Sequence, residues 1–467
     1  MNTPIPMPKS YYVTGRRIPL PLTVEAPAAY ADAVKVFGDY LARAYGVTLT
    51  EGDGGILLKT CCCTDKEYVI SVTDRVIITA RNSVAANHAF ATLMQEIFEE
   101  DGVLYLPCGE ARDLPDSDWR GLMLDLSRCW HEIDFLYRAA DLCWLYKMNR
   151  LQLHLTDDQG IRFPFHAFPK AVHEDHYTVE QLTEFNAYCN ARGIIIVPEI
   201  DAPGHARPFN EGHPEIFGAQ IGIMSACDTT FDALKTAFAE VAEVFPDSPW
   251  IHVGGDEARL NLWEECPETQ AFCKEQGIAD VHQLYGEYVL RLAEIVKSLG
   301  RKPVVWEGFS KDCNDRLPKD LTVFAWESLY QLAPDLQEGG FPLLNASWKP
   351  LYVCNPEKMW GPEEILDWEK TRWQNWWDQS PASRHPINLA HDAPVDGGQM
   401  CSWGDHMTLR SAYGPRPQMI AEEFAAVAHR LPALSEKVWN SYSKPDKAAF
   451  VYNLKVSTDL LYRMLSK

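Results

Sequence analysis

The alternation of hydrophobic and polar positions along the chain changes character near residue 115. Before that point the pattern predicts short strands at 20–24, 55–59, 68–72 and 75–79 and helices at 28–45 and 84–99. The polar, proline-containing segment 111–118 separates this part from the rest of the chain. We therefore predict a small α+β domain over residues 1–115.

From residue 120 onward, short apolar runs alternate with helical segments, which is typical of βα units around a parallel sheet. The runs number eight, at 122–126, 151–155, 194–200, 250–253, 303–306, 322–325, 342–345 and 399–403. Eight such runs predict an α/β fold in which residues 116–467 form a closed (β/α)8 TIM barrel.

Charged and aromatic side chains follow these runs, at the strand ends where barrels of this kind place their active sites. They are Asp125 and Arg128, His154, Asp157 and Asp158, Glu199, Asp201 and His205, Asp256 and Glu257, and Trp306, Trp326, Trp403 and Asp405. Carboxylates beside indole rings favour a carbohydrate ligand, whose C–H faces pack on aromatic rings while its hydroxyls bond to charged groups.

The composition narrows the class of partner. Lys and Arg total 43 against 65 Asp and Glu, and the resulting net charge of −22 argues against nucleic acid and anionic membranes. We find neither a signal-peptide pattern nor an apolar run long enough to span a membrane. The 13 cysteines lack zinc-site spacing, and we interpret the run 61–63 as buried thiols. A cytoplasmic enzyme without metal or cofactor is expected, and its oligomeric state is open.

The sequence HVGGDE at 252–257 carries the most specific chemistry. Two glycines after an apolar run allow a sharp turn that brings both acids to the barrel mouth. Adjacent carboxylates point in different directions, so they are neither the facing pair of an ordinary retaining glycosidase nor the wider pair of an inverting one. They can serve substrate-assisted hydrolysis instead. Glu257 is then the general acid, with its pKa raised by negative neighbours, and Asp256 accepts the N–H of a 2-acetamido group.

Seven segments, in order along the chain, resemble the β-N-acetylhexosaminidases of glycoside hydrolase family twenty. They are RGLMLDLSR at 120–128, NRLQLHLTDDQGIR at 149–162, PEIDAPGHA at 198–206, HVGGDE at 252–257, FAWES at 324–328, GGQMCSW at 397–403 and LPALSEKVWN at 431–440. The resemblance implies an exo-acting enzyme that removes terminal β-linked GlcNAc or GalNAc with retention, through an oxazolinium intermediate. It also implies that the domain before the barrel is non-catalytic.

The same resemblance implies a role for each matching position. Arg120 is expected to hold the 3- and 4-hydroxyls of the terminal sugar, with Asp405 near the outer hydroxyls. Asp157, Asp201 and His205 are expected to support the acids by hydrogen bonds. The expected walls of the acetamido pocket are Trp306, Trp326 and Trp403, with Tyr352 donating to the acetamide oxygen.

Two positions depart from the family pattern. Asp405 stands where a glutamate is common, and Tyr352 is followed two residues later by Cys354, where an aspartate is common. Both departures concern the outer hydroxyls of the sugar, and neither touches the acids.

Other interpretations remain open on the residues alone. Acids at strand ends can be helix caps, and His154, His205 and His252 can be ligands of a metal-dependent barrel hydrolase. A catalytically silent carbohydrate-binding protein is the non-enzyme alternative. The acid spacing of a chitinase-like enzyme, Asp-x-x-Asp-x-Asp-x-Glu, is absent from the sequence. We interpret the tryptophans between 360 and 377 either as the lining of an outer sugar subsite or as packing for a long loop, and we favour packing.

Overall fold

A computed structural model of the protein describes residues 3–61, 64–354, 359–405 and 416–466. Its first part is a mixed sheet with the strand order β1-β8-β5-β6-β4-β2-β3 and with β7 paired to β8. The strands are β1 (Ser10–Pro19), β2 (Thr23–Glu25), β3 (Thr50–Glu51), β4 (Ile56–Thr60), β5 (Tyr68–Val72), β6 (Val76–Ala80), β7 (Phe98–Glu100) and β8 (Val103–Asp113).

Two helices cover one face of this sheet. Helix α1 (Ala31–Tyr45) ends at Gly46, whose φ of 68° gives the left-handed cap that glycine adopts at little cost. Helix α2 (Ser83–Glu96) begins where the Asn82 side chain accepts a hydrogen bond from the Ala85 amide. The helices meet through the stacked rings of Phe37 and Phe90, 4.6 Å apart.

The sequence pattern missed four strands of this sheet, the short β3 and β7 and the long β1 and β8, and placed the start of β2 too early. Seven of the ten residues of β1 are exposed, so the strand carries no clean apolar alternation. Its partner β8 lies about 90 residues further along the chain, and their antiparallel pairing is a tertiary contact that local periodicity does not indicate.

The second part is a closed barrel of eight parallel strands, which confirms the predicted fold class. Each of the eight predicted runs overlaps one of these strands, and pairing of the seventh with the eighth closes the barrel. Three smaller strand pairings lie outside the ring of eight strands, namely β11 with β12, β18 with β21, and β19 with β20. The strands from residue 119 are β9 (Trp119–Asp125), β10 (Arg150–His154), β11 (Thr156–Asp157), β12 (Gly160–Ile161), β13 (Ile195–Glu199), β14 (Trp250–His252), β15 (Lys302–Trp306), β16 (Thr322–Ala325), β17 (Leu343–Asn345), β18 (Tyr352–Val353), β19 (Arg372–Trp373), β20 (Ile387–Asn388) and β21 (Val395–Ser402).

Helices surround the barrel, and the C-terminal helix also packs on α1. They are α3 (Ile133–Leu145), α4 (Val179–Ala191), α5 (Arg207–Gly212), α6 (Pro214–Phe217), α7 (Asp228–Val244), α8 (Pro267–Gln276), α9 (Val281–Ser298), α10 (Ala333–Glu338), α11 (Trp348–Leu351), α12 (Pro362–Ile365), α13 (Arg416–Trp439) and α14 (Lys447–Leu465). Among the described helices, none is both long enough and apolar enough to traverse a lipid bilayer.

The cysteines of the described residues fall into two groups. Ten are free, and eight of those are buried, as expected for structural thiols. Cys61 is disulfide-bonded, so the interpretation of the run 61–63 as plain thiols is wrong at that position. Cys62 and Cys63 lie outside the described residues.

A buried ion pair joins the sheet to the barrel. Lys147 lies two residues after the end of α3. Its ammonium group donates to Asp113 Oδ2 at 3.1 Å and to the Tyr68 hydroxyl at 2.7 Å. The indole of Trp439 donates to the other oxygen of Asp113 at 2.8 Å. The last strand of the sheet ends at Asp113 and the first barrel strand begins at Trp119, on either side of the predicted boundary at 115/116. That boundary stays a prediction.

We expect Asp113→Ala to lower the free energy of unfolding by about 3–5 kcal/mol, because it leaves the Lys147 charge buried without a counter-ion. Urea denaturation of both proteins measures the difference. The matched control is Asp74→Ala, which removes the partner of Arg16 from an exposed ion pair and should change the midpoint little. A loss no larger in Asp113→Ala than in the control would contradict this view of the joint.

Candidate active site

The turn after β14 places two acids at the C-terminal mouth of the barrel. Gly254 and Gly255 have φ values of 71° and 84°, in the left-handed region that favours glycine. A Cβ at Gly254 would also lie 1.8 Å from Asp201 Oδ1, and one at Gly255 would lie 2.6 Å from the Val305 side chain. No side chain larger than hydrogen fits at either glycine, so this local sequence is needed for the turn.

The two acids that follow have different surroundings. Asp256 is 7% exposed, and its Oδ1 is buried without a hydrogen-bond partner among the described residues. The Glu257 side chain is 49% exposed, and its Oε2 lies 3.5 Å from His205 Nε2. Glu257 has a φ of 48° and His205 one of 50°, uncommon values for residues other than glycine. One acid therefore lines the floor of the mouth, and the other faces its opening.

A chain of alternating charges leads to Glu257 from the neighbouring strands. Arg128 lies 2.9 Å from Asp157 Oδ2, and the other Asp157 oxygen lies 3.2 Å from His205 Nδ1. His205 then faces Glu257 through its second ring nitrogen. Asp125, fully buried at the end of β9, fixes the arginine by accepting from its backbone N–H and from its guanidinium. We call Arg128, Asp157, His205 and Glu257 the ion chain.

The ion chain sets the protonation of its members. Burial opposes charge on His205, but the carboxylates of Asp157 and Asp201 outweigh it and hold the pKa of His205 well above its usual value. The hydrogen bond from His205 lowers the pKa of Glu257 despite partial burial. The expectation that negative neighbours raise the pKa of Glu257 is therefore wrong for the unliganded protein, because the nearest charge is positive.

Two aspartates beside Glu257 have raised pKa values. Burial, with Glu257 adding to it and His205 opposing it, raises the pKa of Asp256 to about 7. Burial and the nearby Asp256 also raise the pKa of Asp201, whose Oδ1 accepts a hydrogen bond from the Gly255 amide at 3.1 Å. Asp201 thus holds the glycine turn in place just before the two acids.

Beside the acids, aromatic rings enclose a cavity of about 270 Å³. Trp326 and Tyr352 lie parallel, 6.1 Å apart, and Trp403 lies 6.0 Å from Tyr352. The Tyr352 hydroxyl is buried and makes no well-formed hydrogen bond with the described residues. The cavity is lined by Arg128, Asp256, Glu257, Trp326, Trp348, Tyr352, Cys354, Trp376, Trp403 and Asp405.

The structure brings most of the predicted site residues together. Those on the cavity wall are Asp256, Glu257, Tyr352, Trp326, Trp403 and Asp405. Asp157, Asp201 and His205 stand behind the acids. Trp306 is 1% exposed and is not on the wall, because its indole is turned into the barrel and donates to Glu199 at 2.6 Å.

The prediction for Arg120 is wrong. The residue lies near the start of β9, at the opposite end of the barrel from the acids, and is 2% exposed. Its guanidinium donates to the carbonyls of Lys147 and Ser117. Arg128, eight residues later and beyond the C-terminal end of the same strand, is the arginine in the cavity. The direction of the strand distinguishes the two arginines.

Sequence reasoning also missed part of the wall. Trp348 follows the end of β17 by three residues, so its position after a strand was a usable signal. Trp376 comes from the loop between β19 and β20, for which the local sequence carries no such signal. The predicted packing role is met by Trp368 and Trp373, which are buried in the core.

Three groups of His and acidic side chains in the described residues have potential ligand atoms within 4.8 Å of one another. They are His154 with Glu199 and Asp201, Asp157 with Asp158 and His205, and Asp201 with His205 and Asp256. Metal ligation requires neutral imidazole. Because the pKa values of His154 and His205 are raised by their carboxylate neighbours despite burial, a cation at any of the three would first have to displace a proton.

Comparison with known proteins gives a consistent family. A sequence model described as "Glycosyl hydrolase family 20, catalytic domain" matches residues 118–441. A β-hexosaminidase of Akkermansia muciniphila is 31% identical over 358 residues, 68% of this chain and 70% of that protein. A β-hexosaminidase of Vibrio furnissii is 31% identical over 356 residues, which make up 68% of this chain. The matched region covers only 57% of the length of the Vibrio furnissii protein.

Solved structures share the fold. The GH20 exo-β-N-acetylglucosaminidase of Vibrio harveyi, solved in complex with N-acetylglucosamine, has a TM-score of 0.83 at 21% identity, covering 99% of this chain and 78% of that one. A β-N-acetylhexosaminidase of Bacteroides fragilis has a TM-score of 0.80 at 23% identity, covering 99% and 96%.

We expect Asp157→Asn to lower the pKa of His205, because it removes the nearest negative charge, and NMR titration of the ring measures this directly. A raised histidine pKa contributes stability that is present below the unfolded value of about 6.5 and is lost as the pH rises through the folded value. The stability lost in Asp157→Asn should therefore shrink as the pH rises past that folded value. Asp312→Asn, at an exposed aspartate, is the control. An unchanged His205 titration would refute the ion chain.

Proposed function

The chain belongs to glycosyl hydrolase family 20, and from that premise we propose that it is an exo-acting β-N-acetylhexosaminidase. Its substrate is a glycan or glycoconjugate ending in a β-linked 2-acetamido sugar, GlcNAc or GalNAc. The observation that carries the proposal is a pair of buried polar atoms without a well-formed hydrogen bond among the described residues, Asp256 Oδ1 and the Tyr352 hydroxyl, in one cavity walled by indoles.

An acetamido group supplies what these two atoms lack. Its N–H donates to Asp256 Oδ1, and its carbonyl oxygen accepts from the Tyr352 hydroxyl. Buried polar groups without partners cost free energy, so a ligand that satisfies both gains affinity and is held in one orientation. Trp326 and Trp403 flank the group, exclude water and keep its carbonyl oxygen folded toward the anomeric carbon.

Hydrolysis then proceeds in two steps. In the first, the acetamide oxygen attacks the anomeric carbon and the bond to the leaving oxygen breaks as Glu257 protonates that oxygen. The positive oxazolinium that forms lies against Asp256, whose carboxylate stabilises it. In the second step Glu257 takes a proton from water, the water oxygen attacks the anomeric carbon, and the ring opens. Two inversions give net retention of configuration.

The ion chain explains how Glu257 can act as an acid although His205 lowers its pKa. His205 holds a proton 3.5 Å from Glu257 Oε2. An incoming sugar displaces water from the exposed side of Glu257, which disfavours its charged form and draws that proton onto the carboxyl. That proton leaves with the leaving group, and the proton that Glu257 later takes from water passes back to His205. His205 is therefore a positioning and proton-holding residue that touches no substrate atom.

Arg128 and Asp405 are the groups that meet the outer hydroxyls in this proposal. The Arg128 guanidinium lies over the Trp403 ring at 4.9 Å and its Nε lies 3.5 Å from Asp405. A guanidinium and a carboxylate side by side offer donors and acceptors to neighbouring hydroxyls. Arg128 takes the role that the sequence resemblance had given to Arg120.

We expect Glu257→Gln to lower kcat by about 10²–10⁴-fold on β-N-acetylglucosaminides with poor leaving groups, and much less on nitrophenyl glycosides, whose leaving oxygen needs little protonation. Steady-state kinetics across a series of leaving groups measures the slope. Glu294→Gln, on the outer face of α9, is the control and should match the parent. Equal losses on good and poor leaving groups would remove Glu257 as the acid.

The decisive experiment varies the sugar at its 2-position. We expect the 2-acetamido aryl glycoside to be hydrolysed and its 2-hydroxy counterpart to resist, since only the first carries the nucleophile. Tyr352→Phe should lower kcat on the acetamido substrate by about 10²–10³-fold, while its thermal unfolding midpoint stays equal or rises, because an unsatisfied buried hydroxyl is lost. Tyr12→Phe, on the exposed face of β1, is the control.

Comparable rates on both sugars would overturn the substrate-assisted route. Treatment with the chelator EDTA distinguishes the proposed enzyme from a metal-dependent barrel hydrolase. The metal-dependent enzyme would lose activity in EDTA, whereas the proposed reaction needs no ion. Tight binding of the sugar by wild-type protein without turnover would instead favour a silent carbohydrate-binding protein.

A further inference from the structure

A second cavity, of about 560 Å³, opens at the N-terminal end of the barrel, away from the acids. It lies where the sheet region meets the barrel, because its wall draws on both. The residues that matter here are Lys66, Asn82 and His88 from the sheet region, and Arg120, Asn149 and Arg150 from the starts of barrel strands. The proposed hydrolase reaction uses none of them.

Two guanidinium groups in this cavity have no carboxylate partner. Among the described residues, neither Arg120 nor Arg150 has a carboxylate oxygen within 4.0 Å. Arg120 is 2% exposed and bonds only to neutral acceptors, while Arg150 lies between the rings of Trp119 and Trp250. Charges withdrawn from water are ordinarily paired, so two neighbouring unpaired cations are costly.

Two side chains of the cavity wall have buried nitrogen atoms without an acceptor among the described residues. Arg150 Nε is buried without a hydrogen-bond partner, and so is His88 Nδ1. His88 Nε2 faces an N–H of Arg120 at 3.3 Å and must accept from it, which leaves the imidazole proton on Nδ1. Both orphaned atoms are therefore N–H donors, and the group that is missing is an acceptor.

The remaining wall agrees with a negative occupant. Helix α2 begins at Ser83, between the lining residues Asn82 and Val84, so its positive N-terminal end faces the cavity. Three acids also line the wall, but each has another partner. Asp65 pairs with Arg81, Asp118 pairs with Lys66, and Asp247 accepts from the amides of Asn186 and Asn190.

The pKa values of Arg120 and Arg150 also indicate that their buried charges are unfavourable. Burial, together with repulsion from Arg150, lowers the pKa of Arg120 to about 9. Burial also lowers the pKa of Arg150 to about 10, and the more distant carboxylate of Asp118 raises the pKa of both arginines without offsetting their burial. Both shifts disfavour the charged forms of groups that ordinarily never lose their protons, and a bound anion would reverse them.

We propose that this cavity is a binding site for a small oxyanion, either inorganic phosphate or sulfate or the phosphoryl group of a small phosphomonoester, held by Arg150, Arg120 and His88. The anion accepts from the orphaned N–H groups and neutralises the two guanidinium charges. Because its ligands come from both the sheet region and the barrel, the bound anion ties the two together. The site is independent of the hydrolase reaction.

The test follows thermal unfolding of the full chain in sodium phosphate, sodium sulfate and glucose 6-phosphate, with sodium chloride at matched ionic strength as the reference. We expect at least one oxyanion to raise the midpoint steadily with the logarithm of its concentration, above the chloride curve, and to give saturable heat in calorimetry. Preference for inorganic phosphate or for the ester identifies the source of the oxyanion. No rise beyond chloride with any of the three would overturn the proposal.

Two variants with opposite expected effects locate the site. Arg150→Gln should weaken anion binding about tenfold or more, because a charge-assisted donor is lost. Asp118→Asn removes a rim carboxylate, frees Lys66 and should tighten binding, an effect that a purely structural role would not produce. Arg16→Gln, at an exposed arginine on the sheet, should leave binding unchanged. Anion binding that is the same in Arg150→Gln and Asp118→Asn as in the parent would also overturn the proposal.

Discussion

The mouth of the barrel depends on the placement of positive charge among buried carboxylates. Parallel strands bring their C-terminal ends to one rim, and that rim collects Asp125, Asp157, Asp201, Asp256 and Glu257 within a few residues of strand ends. Such a cluster repels itself, and burial makes the repulsion stronger. Arg128 and His205 alternate with the acids and divide the cluster, so that some carboxylates stay ionised while Asp256 and Asp201 hold their protons more tightly.

The backbone accepts strain to make this arrangement. His205 and Glu257, which face each other across the ion chain, both have positive φ, and Gly254 and Gly255 turn the chain just before them. Packing of the surrounding barrel maintains these conformations, because a rigid scaffold can hold a few strained residues at a site. The result is a geometry prepared before any ligand arrives, with Asp256 facing inward and Glu257 outward, as the proposed division of labour between clamp and acid requires.

Whether the sequence predicted a given strand depended on whether local burial or a distant pairing forms that strand. Barrel strands such as β13 and β16 are buried on both faces, so each is a nearly continuous apolar run that the sequence displays directly. Strand β1 is mostly exposed and exists because it pairs with the distant β8, so no local pattern marks it. The Arg120 error differs in kind, since Arg120 precedes the predicted run 122–126 and Arg128 follows it, so the rule that active sites lie at C-terminal strand ends already favoured Arg128.

By itself, the amino-acid sequence determined the class of fold, the eight barrel strands, the turn that carries Asp256 and Glu257, and the family. All of these depend on residue type and short spacing, which are properties of the linear chain. The tertiary structure alone decided which carboxylate is buried and which tryptophans line the cavity. It also decided that His205 lowers the pKa of Glu257, where the sequence had led us to expect negative neighbours to raise it. The tertiary structure alone also brought together Arg120 and Arg150, the two guanidinium groups without a carboxylate partner at the N-terminal end of the barrel. Burial and electrostatic interaction depend on distances between segments far apart in the sequence, and only folding sets those distances.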